Sequence, residues 1–340
     1  MAKINLKRVR TYSVVKRPSK VNLGHFARPV PGGASFAEFW GSLPRLLASE
    51  DLHALAKAIV QARKRGKPVI AMMGAHVVKC GLSPVLVDLM ERKAITALAM
   101  NGAVAVHDCE MALFGATSED VSKGLRDGSF GMARETGEFF NRSVSEASRR
   151  KAGLGDTLGK NLLLARATHR SLSLLAAASR LGIPATVHVA IGTDIVHQHP
   201  SADGAAIGRA SFEDFLRFTG EVAHLGPGGV VLNLGSAVIM PEVFLKALTV
   251  ARNLGHKARG FTTADFDMIR HYRPGVNVVQ RPVEGGGVGY ALTGHHEIMI
   301  PLLAAGVKAE LGGQAVKSAG GSRQDAWVSC QDAWVSCQDA

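Results

Sequence analysis

The sequence predicts an α/β fold: a mainly parallel sheet with helices on both faces, in a single domain. Three observations carry that prediction. Short apolar runs alternate with longer stretches of helical periodicity, the runs are continuous as in strands buried on both faces, and five of them break off into small or polar tripeptides. These are Val69 to Met73 into Gly74-Ala75-His76, Ala97 to Met100 into Asn101-Gly102-Ala103, Val187 to Ile191 into Gly192-Thr193-Asp194, Val230 to Leu234 into Gly235-Ser236-Ala237, and Ala258 to Phe261 into Thr262-Thr263-Ala264. Ligands of parallel sheets sit in the crevice beyond the carboxyl ends of the strands. The expected site is therefore spread over five strand ends.

The elements follow in order. Phe36 to Leu47 and Leu52 to Arg65 have helical spacing, and Gly66 then Pro68 stop the second helix before the Val69 strand. Ser83 caps a helix with Pro84 at its first position, and Val85, Leu86, Leu89 and Met90 form the apolar stripe that leads to a strand over Ala94 to Met100. This is a βαβ unit, whose crossover should be right-handed. Thr157 to Leu181 reads as one long helix closed by Gly182, and Pro184 introduces the next strand. Pro241 opens a helix that turns Val243, Phe244, Leu248 and Ala251 inward and stops at Gly255. Neither a Walker A motif nor a strand-to-helix Gly-x-Gly-x-x-Gly is present, and the glycines from Gly285 to Gly289 lie in the wrong context for one.

At 340 residues, 46% hydrophobic and 20% charged, the chain has the composition of a globular protein with a large core. No uncharged apolar stretch reaches the roughly 18 residues of a membrane span without glycine or proline, and the N-terminus lacks the apolar segment of a secretory signal. A cytoplasmic location is expected. Of the net charge of +12, the first 37 residues hold +8, on Lys3, Lys7, Arg8, Arg10, Lys16, Arg17, Lys20 and Arg28. The body is nearly balanced, which argues against a nucleic-acid partner. Residues 1–34 read as a basic arm, either a solvated extension or a grip on an anionic partner or neighbouring subunit, hinged at Pro29, Pro31 and Gly32-Gly33. Residues 35–312 form the α/β domain. In residues 313–340 the segment Gln-Asp-Ala-Trp-Val-Ser-Cys occurs twice, from Gln324 and from Gln331, too few heptads for a coiled coil; this tail is expected to be disordered. Cys80 and Cys109 are lone thiols without metal-ligand spacing, which fits a reducing compartment.

Five segments, in this order, resemble deoxyhypusine synthase: Gly74-Ala75-His76-Val77-Val78-Lys79-Cys80-Gly81, Asn101-Gly102-Ala103, Gly192-Thr193-Asp194-Ile195-Val196-His197-Gln198-His199, Gly235-Ser236-Ala237 and Thr262-Thr263-Ala264-Asp265-Phe266-Asp267. The resemblance covers roughly residues 35 to 310. It implies a Rossmann-like fold, a homotetramer with sites between paired subunits, and NAD-dependent oxidation of spermidine, whose aminobutyl group passes through a lysine imine to a protein lysine, or to a diamine in the related homospermidine synthase. Carried over by position, it puts NAD against Gly74, Ala75, Lys79, Asn101, Gly102, Asp194, Gly235, Thr263 and Asp267. Glycines admit a pyrophosphate, and carboxylates accept from ribose hydroxyls.

The chain also departs from the family. Residues 258 to 307 contain no lysine where the family places its imine-forming lysine, and only a primary amine condenses to an imine. The family's histidine pair falls here near Met240-Pro241, and the aspartate before its last apolar segment is replaced in Thr293-Gly294-His295-His296-Glu297. The family's covalent route is therefore excluded at that position.

Histidines gather where chemistry is expected: His76, His107, His197, His199, His271, His295 and His296. Neutral imidazole shuttles protons or binds metal. The leading expectation is an NAD-using transferase of alkyl or aminoalkyl groups to an amine acceptor, acting on a small amine or polyamine, with Asp194 in the site and His199 or His295 as general base. Two alternatives stand beside it: a metal-dependent hydrolase on Asp194, His197, His199, His295, His296 and Glu297, and a catalytically inactive NAD-binding or scaffold protein.

Overall fold

In β1 (Val69–Met73), Val69, Ala71 and Met73 enter one apolar core while Ile70 and Met72 enter another, and every residue of the strand is buried. A strand covered on both faces has no polar side to present, which is why it reads as an unbroken apolar run. The computed structural model describes residues 3–312. Around β1 it places α1 (Phe36–Ser42), α2 (Leu47–Lys64), α3 (His76–Lys79), α4 (Ser83–Glu91), β2 (Ala97–Asn101), α5 (Gly102–Phe114), α6 (Val121–Asp127), α7 (Arg134–Arg150), α8 (Leu154–Leu164), α9 (Leu174–Leu181) and β3 (Ala185–His188). The second half supplies α10 (Gly204–Ala223), β4 (Val230–Leu234), α11 (Ile239–Asn253), β5 (Thr262–Asp267), α12 (Tyr272–Pro274), a π-helical turn over Gly275–Gln280, β6 (Val288–Thr293) and α13 (His296–Glu310).

Among the described residues six strands form one parallel sheet in the order β3-β2-β1-β4-β5-β6. The chain begins at the centre, steps outward to β3, returns to β4 and steps outward the other way. The order therefore reverses between β1 and β4, the point where such sheets open a crevice at their carboxyl ends. This is a Rossmann fold. Leu55 and Ile59 of α2, Leu86 of α4, Leu175 of α9 and Leu303 of α13 cover one face, while Phe218 of α10 and Phe244 of α11 cover the other.

The structure redraws three expected elements. β3 ends at His188 rather than Ile191, because the Val189 N–H donates to Ser211 Oγ of α10 at 2.9 Å and leaves the ladder. β5 begins at Thr262, where the apolar run was expected to end, so the two threonines are the first residues of the strand rather than the loop beyond it. The long helix over Thr157 to Leu181 is broken: Arg166 adopts a left-handed backbone, and Asp108 of α5 accepts from Leu174 N–H at 2.7 Å and Leu175 N–H at 3.1 Å, starting α9 afresh. A periodic pattern hides such a break because both pieces face the same core.

The basic arm carries three single-turn 3-10 helices, Leu6–Arg8, Val14–Lys16 and Leu23–His25, capped by Asn5, Ser13 and Asn22. Its Ile4, Leu6 and Val15 side chains are exposed. Among the described residues no helix is long and apolar enough to cross a membrane. The repeated tail with Cys330 and Cys337 lies outside the described residues.

Candidate active site

The reversal point is built from glycine because nothing larger fits. Gly74, after β1, lies so close to the Gly235 carbonyl after β4 that a Cβ there would overlap it, and Gly235 itself holds φ +67 against the ring of His296. His296 is 2% exposed, and neither ring nitrogen has a hydrogen-bond partner. Burial lowers its basicity, while Asp267 and the Phe266 carbonyl, which stops short of hydrogen-bond geometry, work the other way. His76 stacks on it with ring centroids 6.4 Å apart. Asp267, at the end of β5, accepts from the Met268 N–H at 2.8 Å and faces His271 Nε2 at 3.9 Å. Beneath them, on neighbouring strands, Asn233 donates to Asp265 Oδ1 at 2.7 Å and to the Ser236 carbonyl at 2.9 Å, and burial pushes Asp265 up to about 6. Ala75, half-buried, opens α3.

A second cluster lies beside the first, over the ends of β1, β2 and β3. Asn101 caps α5 by accepting from the Val104 N–H at 3.1 Å, and Gly102 leaves room for the Asp194 carboxylate where a side chain would collide with it. Burial pushes Asp194 up to about 6, with His107 pulling it back. His197 Nδ1 accepts from the N–H groups of Gly192 at 3.1 Å and Asp194 at 3.3 Å, which leaves its Nε2 to carry the proton, 3.9 Å from Asp194 Oδ2. A cavity of about 160 Å³ opens here, lined among others by Lys79, His107, Glu110, Glu119, Phe130 and Asp194. Its titratable wall comes from four separate segments.

Eight of the eleven expected site residues, Gly74, Ala75, Lys79, Asn101, Gly102, Asp194, Gly235 and Asp267, lie in these clusters or at their margins, and geometry puts Thr263, His199 and His295 elsewhere. Thr263 pairs with Val231, which pairs with Ile70, so it sits at the amino end of the sheet; at about 3.3 Å per residue it lies about 13 Å below Asp267. Its side chain is fully buried, with Oγ1 unpartnered, and does not face the crevice. His199 is turned away as well: its Nε2 donates to the Gly131 carbonyl at 2.7 Å and its ring fills the space left by Gly137 on α7. His295, the N-cap residue of α13, has a side chain 65% exposed beside Glu297, 3.8 Å away. With the imidazoles of His199, His295 and His296 in three different places, the ligand set of a metal-dependent hydrolase does not assemble, and among the described residues no group of three or more His, Cys, Asp or Glu side chains converges on one point. Sequence reasoning missed Thr117, Glu119 and Thr136, and gave Glu110 no role. No motif marks them, because they meet only through the packing of α5, the following loop and α7.

Two features of the crevice are ones that a dinucleotide site would use: the strand reversal and the orphaned imidazole nitrogens of His296. The cavity beside it is smaller than the roughly 300–1,000 Å³ of a drug-sized pocket and suits a small substrate rather than a dinucleotide.

The comparisons with known proteins agree with the fold. A family model described as "Arginine dihydrolase ArgZ-like, C-terminal, Rossmann fold" matches residues 53–140. No curated protein matches the chain. Among solved structures, the ternary complex of AgrE with ornithine and NAD+ is 16% identical, covering 79% of this chain and 34% of that one, with a TM-score of 0.51. A candidate deoxyhypusine synthase from Entamoeba histolytica is 12% identical over 81% of this chain and 93% of that one, at a TM-score of 0.47. A candidate LOR/SDH protein from Methanococcus maripaludis S2 is 12% identical over 89% and 76%, at 0.48. The chain spans about a third of the length of ArgZ and AgrE. At these identities the likeness is one of fold, and function rests on the site.

Proposed function

We propose that this chain is an NAD-using enzyme that acts at the carbon–nitrogen bond of a small cationic amine and transfers its alkyl or aminoalkyl group to an amine acceptor. The observation that carries the reading is the cavity at the ends of β1 to β3, where Glu110, Glu119 and Asp194 face a space of about 160 Å³ directly beside the strand reversal. Three carboxylates against the single ammonium of Lys79 favour a cationic guest.

Gly74, Ala75, Asn101, Gly102, Gly235 and Asp267 would hold NAD along the crevice. Bound there, NAD+ supplies a hydride acceptor for the carbon next to nitrogen. Asp194 anchors the junction of cofactor and amine, Lys79 stands at the rim, and Phe130 gives the cavity an apolar wall. The resemblance of the five strand-end segments to deoxyhypusine synthase supports an amine substrate and a homotetramer, and the ornithine and NAD+ in the AgrE complex support the same pairing of ligands. The lysine-free stretch from Ala258 to Val307 directs the reaction away from a lysine imine there, toward direct transfer.

Titration calorimetry with NAD, followed by absorbance at the NADH band with spermidine or ornithine, tests the reading. Binding of NAD with amine-dependent NADH formation is expected. Failure to bind NAD at millimolar concentration would remove the proposal.

A further inference from the structure

His107 is held by a relay that ends on a buried carboxylate. Glu110 is 8% exposed; its Oε1 accepts from Thr136 Oγ1 at 2.9 Å and its Oε2 from Thr117 Oγ1 at 2.5 Å. A hydroxyl has one proton to give. Thr117 gives its proton to Glu110, so it offers His107 Nδ1, 2.6 Å away, only a lone pair. Nδ1 must therefore carry the imidazole proton, and the Nε2 lone pair is left free. Nε2 makes no hydrogen bond among the described residues, and the ring lines the cavity with 18% of its side chain exposed. Burial pushes Glu110 up, but the contacts from His107, Thr117 and Thr136 outweigh it and hold the carboxyl below its usual range, ionised as the relay requires.

The arrangement is more than a helix side chain meeting its neighbour. His107 and Glu110 are three residues apart on α5, but the bridging hydroxyl comes from the loop after that helix and the second hydroxyl from α7. Three segments spend buried polar groups to fix one tautomer, and it is the one that aims a basic nitrogen at open space. A hydrogen bond from the other nitrogen is how proteins set the tautomer of a working histidine.

We propose that His107 is the general base of this site, its Nε2 taking a proton from the ammonium group of the amine held in the cavity, with Thr117 and Glu110 as positioning residues. The inference rests on the amine-directed reading above. One N–H bond of the ammonium breaks, its electron pair stays on nitrogen, and an Nε2–H bond forms. The imidazolium faces Glu110 from α5, Glu119 from the loop that follows, Asp194 from the segment after β3 and the ammonium of Lys79 from α3. It releases the proton to water, so no further reactant is consumed. The free amine is then the form from which hydride departs.

The full chain labelled with nitrogen-15 at histidine, examined by two-bond proton–nitrogen correlation at pH 8, should show His107 protonated on Nδ1. Thr117→Val should move it to the Nε2-protonated tautomer and reduce kcat about 10- to 100-fold with the KM for NAD unchanged, and Thr117→Ser should restore both. His107→Gln should lose about 100-fold or more in turnover, within the usual range for a general base, while still binding NAD in calorimetry. A wild-type ring protonated on Nε2, or turnover of spermidine or ornithine that survives His107→Gln, overturns the assignment of the base alone. A wild type that neither binds NAD nor oxidises either amine removes the amine reading, and the base with it.

Discussion

Gly74 and Gly235 touch backbone to backbone where the strand order reverses: the carbonyl of the second occupies the space that a Cβ on the first would need. Since backbone cannot rotate aside, Gly74→Ala should destabilise by about 1–3 kcal/mol or more, the cost of overpacking. Gly208, one turn into α10, has nothing within 4 Å of its missing Cβ. Gly208→Ala should stabilise by about 0.5–1 kcal/mol through helix propensity. Urea unfolding of both variants checks the pair, and equal effects would contradict the geometry.

Asp194 occupies the hollow left by Gly102 at the head of the cavity. On the proposed function, Asp194→Ala should weaken NAD binding by about 1–3 kcal/mol, the cost of leaving buried hydrogen-bonding groups unpaired. Titration calorimetry of the wild type and the variant gives the difference directly. An unchanged Kd would take Asp194 out of the cofactor site.

Asp214 of α10 is fully buried, and its Oδ2 accepts from both Val187 N–H, at 2.8 Å, and Gly155 N–H, at 2.9 Å, while Oδ1 has no partner. Burial pushes its carboxyl up from the usual carboxylate range to about 7. An acid that holds its proton more tightly when folded favours the folded state below its unfolded pKa and loses that contribution as pH rises through the folded one. One amide oxygen can replace Oδ2, so Asp214→Asn should gain in Tm relative to the wild type as pH rises from 4 to 8. A difference in Tm that stays constant with pH would show that Asp214 does not titrate in this window.

Incubation with NAD, labelled spermidine and the hypusine-accepting translation factor, followed by borohydride, should leave this protein unlabelled. The lysines nearest the expected position are outside it, and Lys308 is paired with Asp88 at 3.1 Å while Lys246 is paired with Glu242. Lys79 does line the cavity, on the side proposed for cofactor. Label on Lys79 would restore a covalent route.

The sequence by itself determined the parallel sheet and most of its site-bearing ends. β1 and β4 have the expected bounds, and Gly74, Asn101 and Gly235 stand at carboxyl ends of neighbouring strands. Apolar runs and glycines are legible because burial on two faces and close backbone approach each restrict the residue types allowed. Only the tertiary structure decided which polar groups meet. Thr263 and Asp267 lie four residues apart in one segment, yet the strand's start at Thr262 puts them at opposite ends of the sheet. His199 and His107 look equivalent as sequence, but one ring is spent on the Gly131 carbonyl and the other is aimed into a cavity by Thr117 and Glu110. A side chain's chemistry depends on which way its lone pairs face, and that direction is set by contacts between segments far apart in the chain.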